Sequence, residues 1–168
     1  METIINRVEE SGLIQLDLAV FKPNIAFEGI DIGRQLYLGL ILKEKDFRAW
    51  INEHDWEQYS GKAVYIYCSV DAIIPTWSYM LVASKLVGIA HTFICGTRVD
   101  LEKQVIGEAI ASLNVDTYVG GRIIIKGCSD IACPEFAMTM LIMKLQPVAQ
   151  SIMYGEPCST VPIFKQRR

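Results

Sequence analysis

Between residues 13 and 32 the chain twice alternates apolar and polar positions. LIQLDLAVF (Leu13 to Phe21) and IAFEGIDI (Ile25 to Ile32) each read as a strand, with Lys22, Pro23 and Asn24 as the turn between them. The pair is expected to form an N-terminal hairpin or two edge strands. The apolar run Leu36 to Leu42 is too short for periodicity to separate strand from buried helix, and helix is favoured. After the charged run Lys43 to Asp46, the residues Phe47, Trp50, Ile51 and His54 recur at helical spacing, which gives a helix of about three turns. AVYIY (Ala63 to Tyr67) then reads as a buried strand ending in Cys68.

The second half repeats one theme. Pro75 stands at a natural first helical position, and Thr76 to Leu86 reads as a helix ending at Gly88. A strand (Ile89 to Cys95), a helix (Asp100 to Leu113), a strand (Arg122 to Lys126) and a helix opening at Pro134 follow in order. Strands alternating with helices of this length imply crossover connections, hence an α/β three-layer sandwich with a mainly parallel sheet. The whole chain, 1–168, is expected to be one domain, with Met153 to Arg168 as an extended C-terminal tail over it.

Composition narrows the function classes. Of 168 residues, 51% are hydrophobic and 21% charged, enough for a well-buried core and unlike a disordered chain. A net charge of -3 lacks the basic surplus that a phosphate backbone demands, so no nucleic-acid partner is expected. The most apolar stretches, Phe136 to Met143 and Tyr79 to Cys95, are too short or broken by Ser84, Lys85 and His91, so no membrane span is expected either. The start METIINRVEE lacks the features of a secretion signal, which points to a cytoplasmic location. In a reducing compartment five cysteines, an odd number, are core thiols, metal ligands or reactive thiols rather than a disulfide framework.

Three of those cysteines precede a serine and lie a few residues before a proline: Cys68-Ser69 before Pro75, Cys128-Ser129 before Pro134, and Cys158-Ser159 before Pro162. The first two also follow an apolar strand, carry an acid within three residues (Asp71, Asp130) and lead into a helix, like two copies of one unit. Loops leaving the carboxyl ends of parallel strands converge, and helix N-termini beside them favour a thiolate. Cys68, Cys128 and Cys158 are therefore candidate ligands for zinc, iron or an iron-sulfur cluster. Ser69, Asp71, Ser129, Asp130, Glu156 and Ser159 are candidates for a further ligand or an outer hydrogen bond. The site requires the three sulfurs to lie within about 4 Å of one another, since each ligand stands about 2.3 Å from one ion. Two alternatives stay open. The cysteines are small buried residues at tight turns, or Cys68 or Cys128 is the reactive thiol of an enzyme or ligand pocket. Cys95, closing a strand, and Cys133 belong to no such pair.

Other signals are weaker. His54 beside Asp55 reads as a helix-end histidine complementing the dipole rather than a base, and His91 is unremarkable. The tryptophans and tyrosines read as core and interface. No phosphate-binding glycine loop follows a strand, and no Gly-x-Ser-x-Gly elbow occurs.

The motifs GLILKEKDFR (39–48), CSVDAIIPTW (68–77), GCSD (127–130) and GEPCSTVPI (155–163) resemble the uncharacterised family known as domain of unknown function 2480, over nearly the whole chain. The resemblance carries no established activity. It implies gene neighbours in sulfur mobilisation for iron-sulfur cluster assembly, and its cysteine motifs fall on Cys68, Cys128 and Cys158. Together these readings lead to an accessory protein of iron-sulfur or sulfur metabolism, with iron-sulfur assembly proteins as partners. A thiol-dependent enzyme is the alternative. So is a non-catalytic homodimeric module, to which the mean hydropathy of +0.27 would contribute an apolar interface.

Overall fold

The two strands predicted by the alternating pattern both end in an aspartate, Asp17 and Asp31. The computed structural model describes residues 12–127 and 130–167. The described chain forms two compact units, residues 24–102 and residues 12–23 with 103–167.

In the unit 24–102, β2 (Phe27–Asp31), β3 (Ala63–Tyr67) and β4 (Thr92–Cys95) form a parallel three-stranded sheet in that order. Phe27 is in register with Ala63, and Ala63 with Thr92. Helix α1 (Glu44–Glu53) carries Glu44 and Asp46 in its first turn, where the helix dipole favours them, and buries Phe47 and Ile51 one turn apart. Helix α2 (Thr76–Leu86) follows Pro75, buries Ser78, Val82 and Leu86, and stops before Gly88, whose φ of 78° ends helices readily. Phe47, Ile51, Val82 and Leu86 join Ile30, Ile32, Val64 and Ile66 in one core cluster. Each such aliphatic side chain contributes roughly 1.5–3 kcal/mol by leaving water.

The other unit opens with β1 (Leu13–Asp17), which pairs in parallel with β5 (Arg122–Lys126). β5 pairs in parallel with β6 (Ser151–Glu156), and β6 pairs antiparallel with β7 (Ser159–Lys165). Helix α3 (Arg98–Ala111) supplies Ile106 and Ile110 to this core, and α4 (Pro134–Leu145) supplies Ala137, Leu141 and Leu145.

The two units are copies. A single ungapped displacement, the one that carries Gly61 onto Gly120, superimposes their hydrogen bonding. Gly61 donates to Ile89 O at 3.0 Å, as Gly120 does to Val148 O at 2.8 Å. His91 donates to Lys62 O at 2.9 Å, as Gln150 does to Gly121 O at 2.9 Å. Both glycines have positive φ, 68° and 67°. The buried helical residues Ser78, Val82 and Leu86 fall on Ala137, Leu141 and Leu145, and Phe47 and Ile51 fall on Ile106 and Ile110. Strand registers agree row for row. Arg122 pairs with Leu13 and Ser151 as Ala63 pairs with Phe27 and Thr92. In each copy the edge strand ends in an aspartate that caps a 3-10 turn, Asp31 through Gly33 N (2.9 Å) and Asp17 through Ala19 N (2.8 Å).

The mixed α/β, mostly parallel character follows the expectation, distributed over two sheets. Of the two N-terminal alternatives, β1 and β2 are edge strands of separate sheets and not a hairpin, because each aligns with the central strand of its own copy. Of the expected tail Met153 to Arg168, residues 153–156 belong to β6 and Ser159–Lys165 is β7, so the segment is extended but paired into the sheet and not laid over the domain. Leu36 to Leu42 is not a helix. Tyr37 bridges Ile41 around a tight turn in which Leu38 and Gly39 take φ of 52° and 69°. Gly39 breaks a helix and favours this left-handed turn. No helix of the described residues is long and apolar enough to cross a membrane.

Candidate functional site

At the carboxyl ends of β5 and β6 the copy completed by β7 opens a cleft. An apolar cavity of ≈ 310 Å³ lies among β5, β6, β7 and α4, lined by Ile125, Met138, Ile142, Met153, Tyr154 and Ile163. A second cavity of ≈ 680 Å³ adjoins it, bounded by Gly127, Pro134, Glu135, Tyr154, Gly155 and Glu156, and also touched by Met138. Met138 and Tyr154 line both, so the apolar floor continues into a polar mouth. The second cavity, bounded by the residue that follows β5 and the first turn of α4, lies where open parallel sheets bind ligands, beyond a strand end and beside a helix N-terminus.

Tyr154 stands at the junction. Its hydroxyl lies over Gly127, where an added Cβ would stand 2.9 Å from the oxygen, and it makes no hydrogen bond among the described residues. Gly155 next to it takes a φ of 122°, and an added Cβ there would stand 2.4 Å from Ser159 O, so the backbone at the mouth needs glycine. Lys126 Nζ meets Glu156 at 2.9 Å across the rim, and that hydrogen bond and charge raise the lysine pKa. Asp130 meets Lys22 at 2.8 Å, and its pKa is lowered by the lysine's hydrogen bond and charge. Glu135 lies in the first turn of α4.

The same displacement explains why the other copy differs. Met138 and Ile152 of the cavity fall on Tyr79 and Phe93, two larger rings packed against the core of their own unit. Gly127 falls on Cys68 and Tyr154 on Cys95. Cys68 is half-buried, and its Sγ–H points to Val70 O at 3.2 Å, whereas Cys95 is exposed. Burial raises the pKa of Tyr79, and the charges of Cys95 and Cys68 raise it further, so both thiols lie within electrostatic reach of one phenol. Asp31 receives the Ser69 amide at 3.0 Å and the Ser69 hydroxyl, which ties the end of β2 to the loop after β3.

The family model for a protein of unknown function, DUF2480, matches residues 2–166. The chain belongs to that family. No curated protein and no solved structure matches it. Membership in DUF2480 therefore supports the resemblance read from the motifs and adds no activity to it.

Against that background the expected site residues are placed as follows. Cys68, Ser69 and Asp71 belong to the unit 24–102, with Asp71 exposed. Asp130, Glu156, Cys158 and Ser159 belong to the other unit, with Cys158 exposed at the turn between β6 and β7. Cys128 and Ser129 lie outside the described residues. Among the described residues no group of three or more His, Cys, Asp or Glu side chains is arranged to hold a metal ion. The Cys-Ser pairs are also out of step. Asp71 falls on Asp130 and Pro75 on Pro134, so Cys68 stands opposite Gly127, and Cys133 takes the place of the core-facing Ile74.

His54 stands at the C-terminal end of α1, as expected. It stacks among Trp50, Trp56 and Tyr59, bonds the Tyr59 hydroxyl at 3.0 Å, and has its pKa lowered by burial. The sequence reading missed Met138, Tyr154 and Gly127. The signal that finds them is the repeat aligned on its glycines and prolines instead of its cysteines.

Proposed function

We propose that the protein binds a small amphiphilic ligand in the unit that carries β7. The apolar body occupies the cavity between α4 and β5–β7, and a hydrogen-bonding head reaches the Tyr154 hydroxyl at the mouth. The observation that carries this reading is the continuity of the two cavities through Met138 and Tyr154. A mostly apolar pocket with a few convergent polar groups is the usual form of a small-molecule site. The sister copy supplies the control, because Tyr79 occupies the position of Met138 without disturbing the same backbone.

The test is titration with N-phenyl-1-naphthylamine, a fluorophore with an apolar body and one N–H donor. Saturable one-to-one binding is expected in the natural chain, with a loss of roughly tenfold or more in Met138→Tyr, about 1.4 kcal/mol. Equal affinity in a folded Met138→Tyr variant would exclude this cavity.

A second reading, an accessory role in iron-sulfur or sulfur metabolism, rests on the family's expected gene neighbours and on the accessibility of Cys68 and Cys158. In that role accessible thiolates hold zinc, iron or a cluster in passing. Anaerobic purification followed by elemental analysis and an absorption spectrum tests it. Less than stoichiometric iron and zinc, without a charge-transfer band, would rule it out.

A further inference from the structure

The geometry points to a second site, in the other copy: Cys68 and Cys95 form a two-thiol seat for a soft monovalent cation of the copper(I) class at the carboxyl end of β3 and β4. It shares Cys68 with the three-cysteine arrangement and differs from it in Cys95, which belongs neither to that arrangement nor to the ligand cavity.

Two observations converge. Cys95 is in register with Ile66, and Gly96 N donates to Ile66 O at 3.0 Å, so Cys68, two residues beyond Ile66 and just past the end of β3, is its diagonal neighbour. At the equivalent positions of the sister copy, a Cβ added to Gly127 would stand 2.9 Å from the Tyr154 hydroxyl, so the Cα–Cβ direction at the first position faces the side chain at the second.

The chemistry selects the ion. Diagonal neighbours on adjacent strands stand roughly 7–8 Å apart at Cα, beyond the usual 4.4–6.8 Å of a disulfide, and both cysteines are free. Two sulfurs on one ion at about 2.3 Å each span up to about 4.6 Å, a wider gap than a disulfide closes. Zinc and iron-sulfur clusters require more ligands, and no such group of three is arranged among the described residues. Soft copper(I) accepts thiolates at low coordination number. On binding, each S–H bond is exchanged for an S–Cu bond and two protons leave to solvent. No oxidation change occurs.

Anaerobic titration with copper(I) in competition with bicinchoninate, followed by copper-edge X-ray absorption, tests the site. One equivalent per chain with two sulfur neighbours is expected. Cys68→Ser and Cys95→Ser should each weaken binding by more than the roughly 10–100-fold that loss of an outer-shell partner costs. Cys128→Ser, Cys133→Ser and Cys158→Ser should leave it unchanged. Unaltered affinity in Cys95→Ser, or loss in Cys128→Ser or Cys158→Ser, would overturn the assignment. The iron and zinc analysis fails or succeeds separately. A folded Gly127→Cys/Tyr154→Cys variant, confirmed by circular dichroism, should take a second equivalent, and uptake of only one would overturn the facing geometry.

Discussion

Tyr154 lays its hydroxyl over Gly127, so closely that a Cβ on the glycine would stand 2.9 Å from the oxygen. The contact fixes the phenol at the point where the apolar cavity meets its polar mouth. Gly127→Ala should displace the ring while preserving the fold, because the sister position carries Cys68 on an equivalent strand end. Tyr154→Phe should leave stability unchanged and weaken a probe with an N–H or O–H head by up to about tenfold, since one net hydrogen bond contributes roughly 0.5–1.5 kcal/mol. Fluorescence titration of both variants checks this. Unaltered affinity in both would remove Tyr154 from the site.

Asp31 gives the clearest acid-dependent element. Its side chain is only 8% exposed, which alone would raise its pKa, but the hydroxyl and amide of Ser69, the Gly33 amide and the Arg34 charge together lower it. A carboxylate whose folded pKa lies below the unfolded value of 3.8 stabilises the fold above about pH 4. That contribution is lost as pH falls through the folded pKa. Asp31→Asn should cost roughly 1–3 kcal/mol at neutral pH, and its stability should vary less with pH below about 4. Urea midpoints against pH measure both, and a slope equal to that of the natural chain would refute the role.

How much of this was legible depends on the length scale of the signal. Strands such as Ala63–Tyr67 and Arg122–Lys126, and helices opened by Pro75 and Pro134, announce themselves within a few residues. So does the repeat, through the common acid and proline. The pairing of β1 with β5, across the whole intervening copy, leaves no local trace and could not be read. The cysteines misled the alignment because Cys-Ser is conspicuous, whereas the backbone is anchored by Gly61 and Gly120, whose left-handed conformation other residues resist. Once the copies are set on those glycines, Tyr154 and Cys95 become equivalent and both strand ends become candidates.

His54 should make stability fall toward mildly acidic pH. Burial lowers its pKa, chiefly, and Asp55 opposes that only in part. A histidine whose folded pKa lies below the unfolded 6.5 takes its proton first in the unfolded chain. Its stabilising effect is therefore complete above about pH 7 and declines as pH drops below the unfolded value. Thermal unfolding of His54→Gln should lose this decline between about pH 7 and 5. A decline as steep as in the natural chain would place its origin elsewhere.

The turn at Leu38 is where stability can be gained. Leu38 has a φ of 52° and is 78% exposed, so it carries the strain of a left-handed backbone with little burial to offset it. For an L-residue with a full side chain that strain is about 1–2 kcal/mol. The bridge between Tyr37 and Ile41, and the Lys43 ammonium 3.2 Å from the centre of the Tyr37 ring, hold the turn closed regardless. Asparagine tolerates this conformation, so Leu38→Asn should recover about 1 kcal/mol and raise Tm by roughly 2–4 °C for a chain of this size. Leu38→Gly should gain less, because glycine also loosens the unfolded chain. Leu38→Val, branched at Cβ, should lower Tm. Differential scanning calorimetry ranks the three, and an order in which valine is the most stable would contradict the strain at this residue.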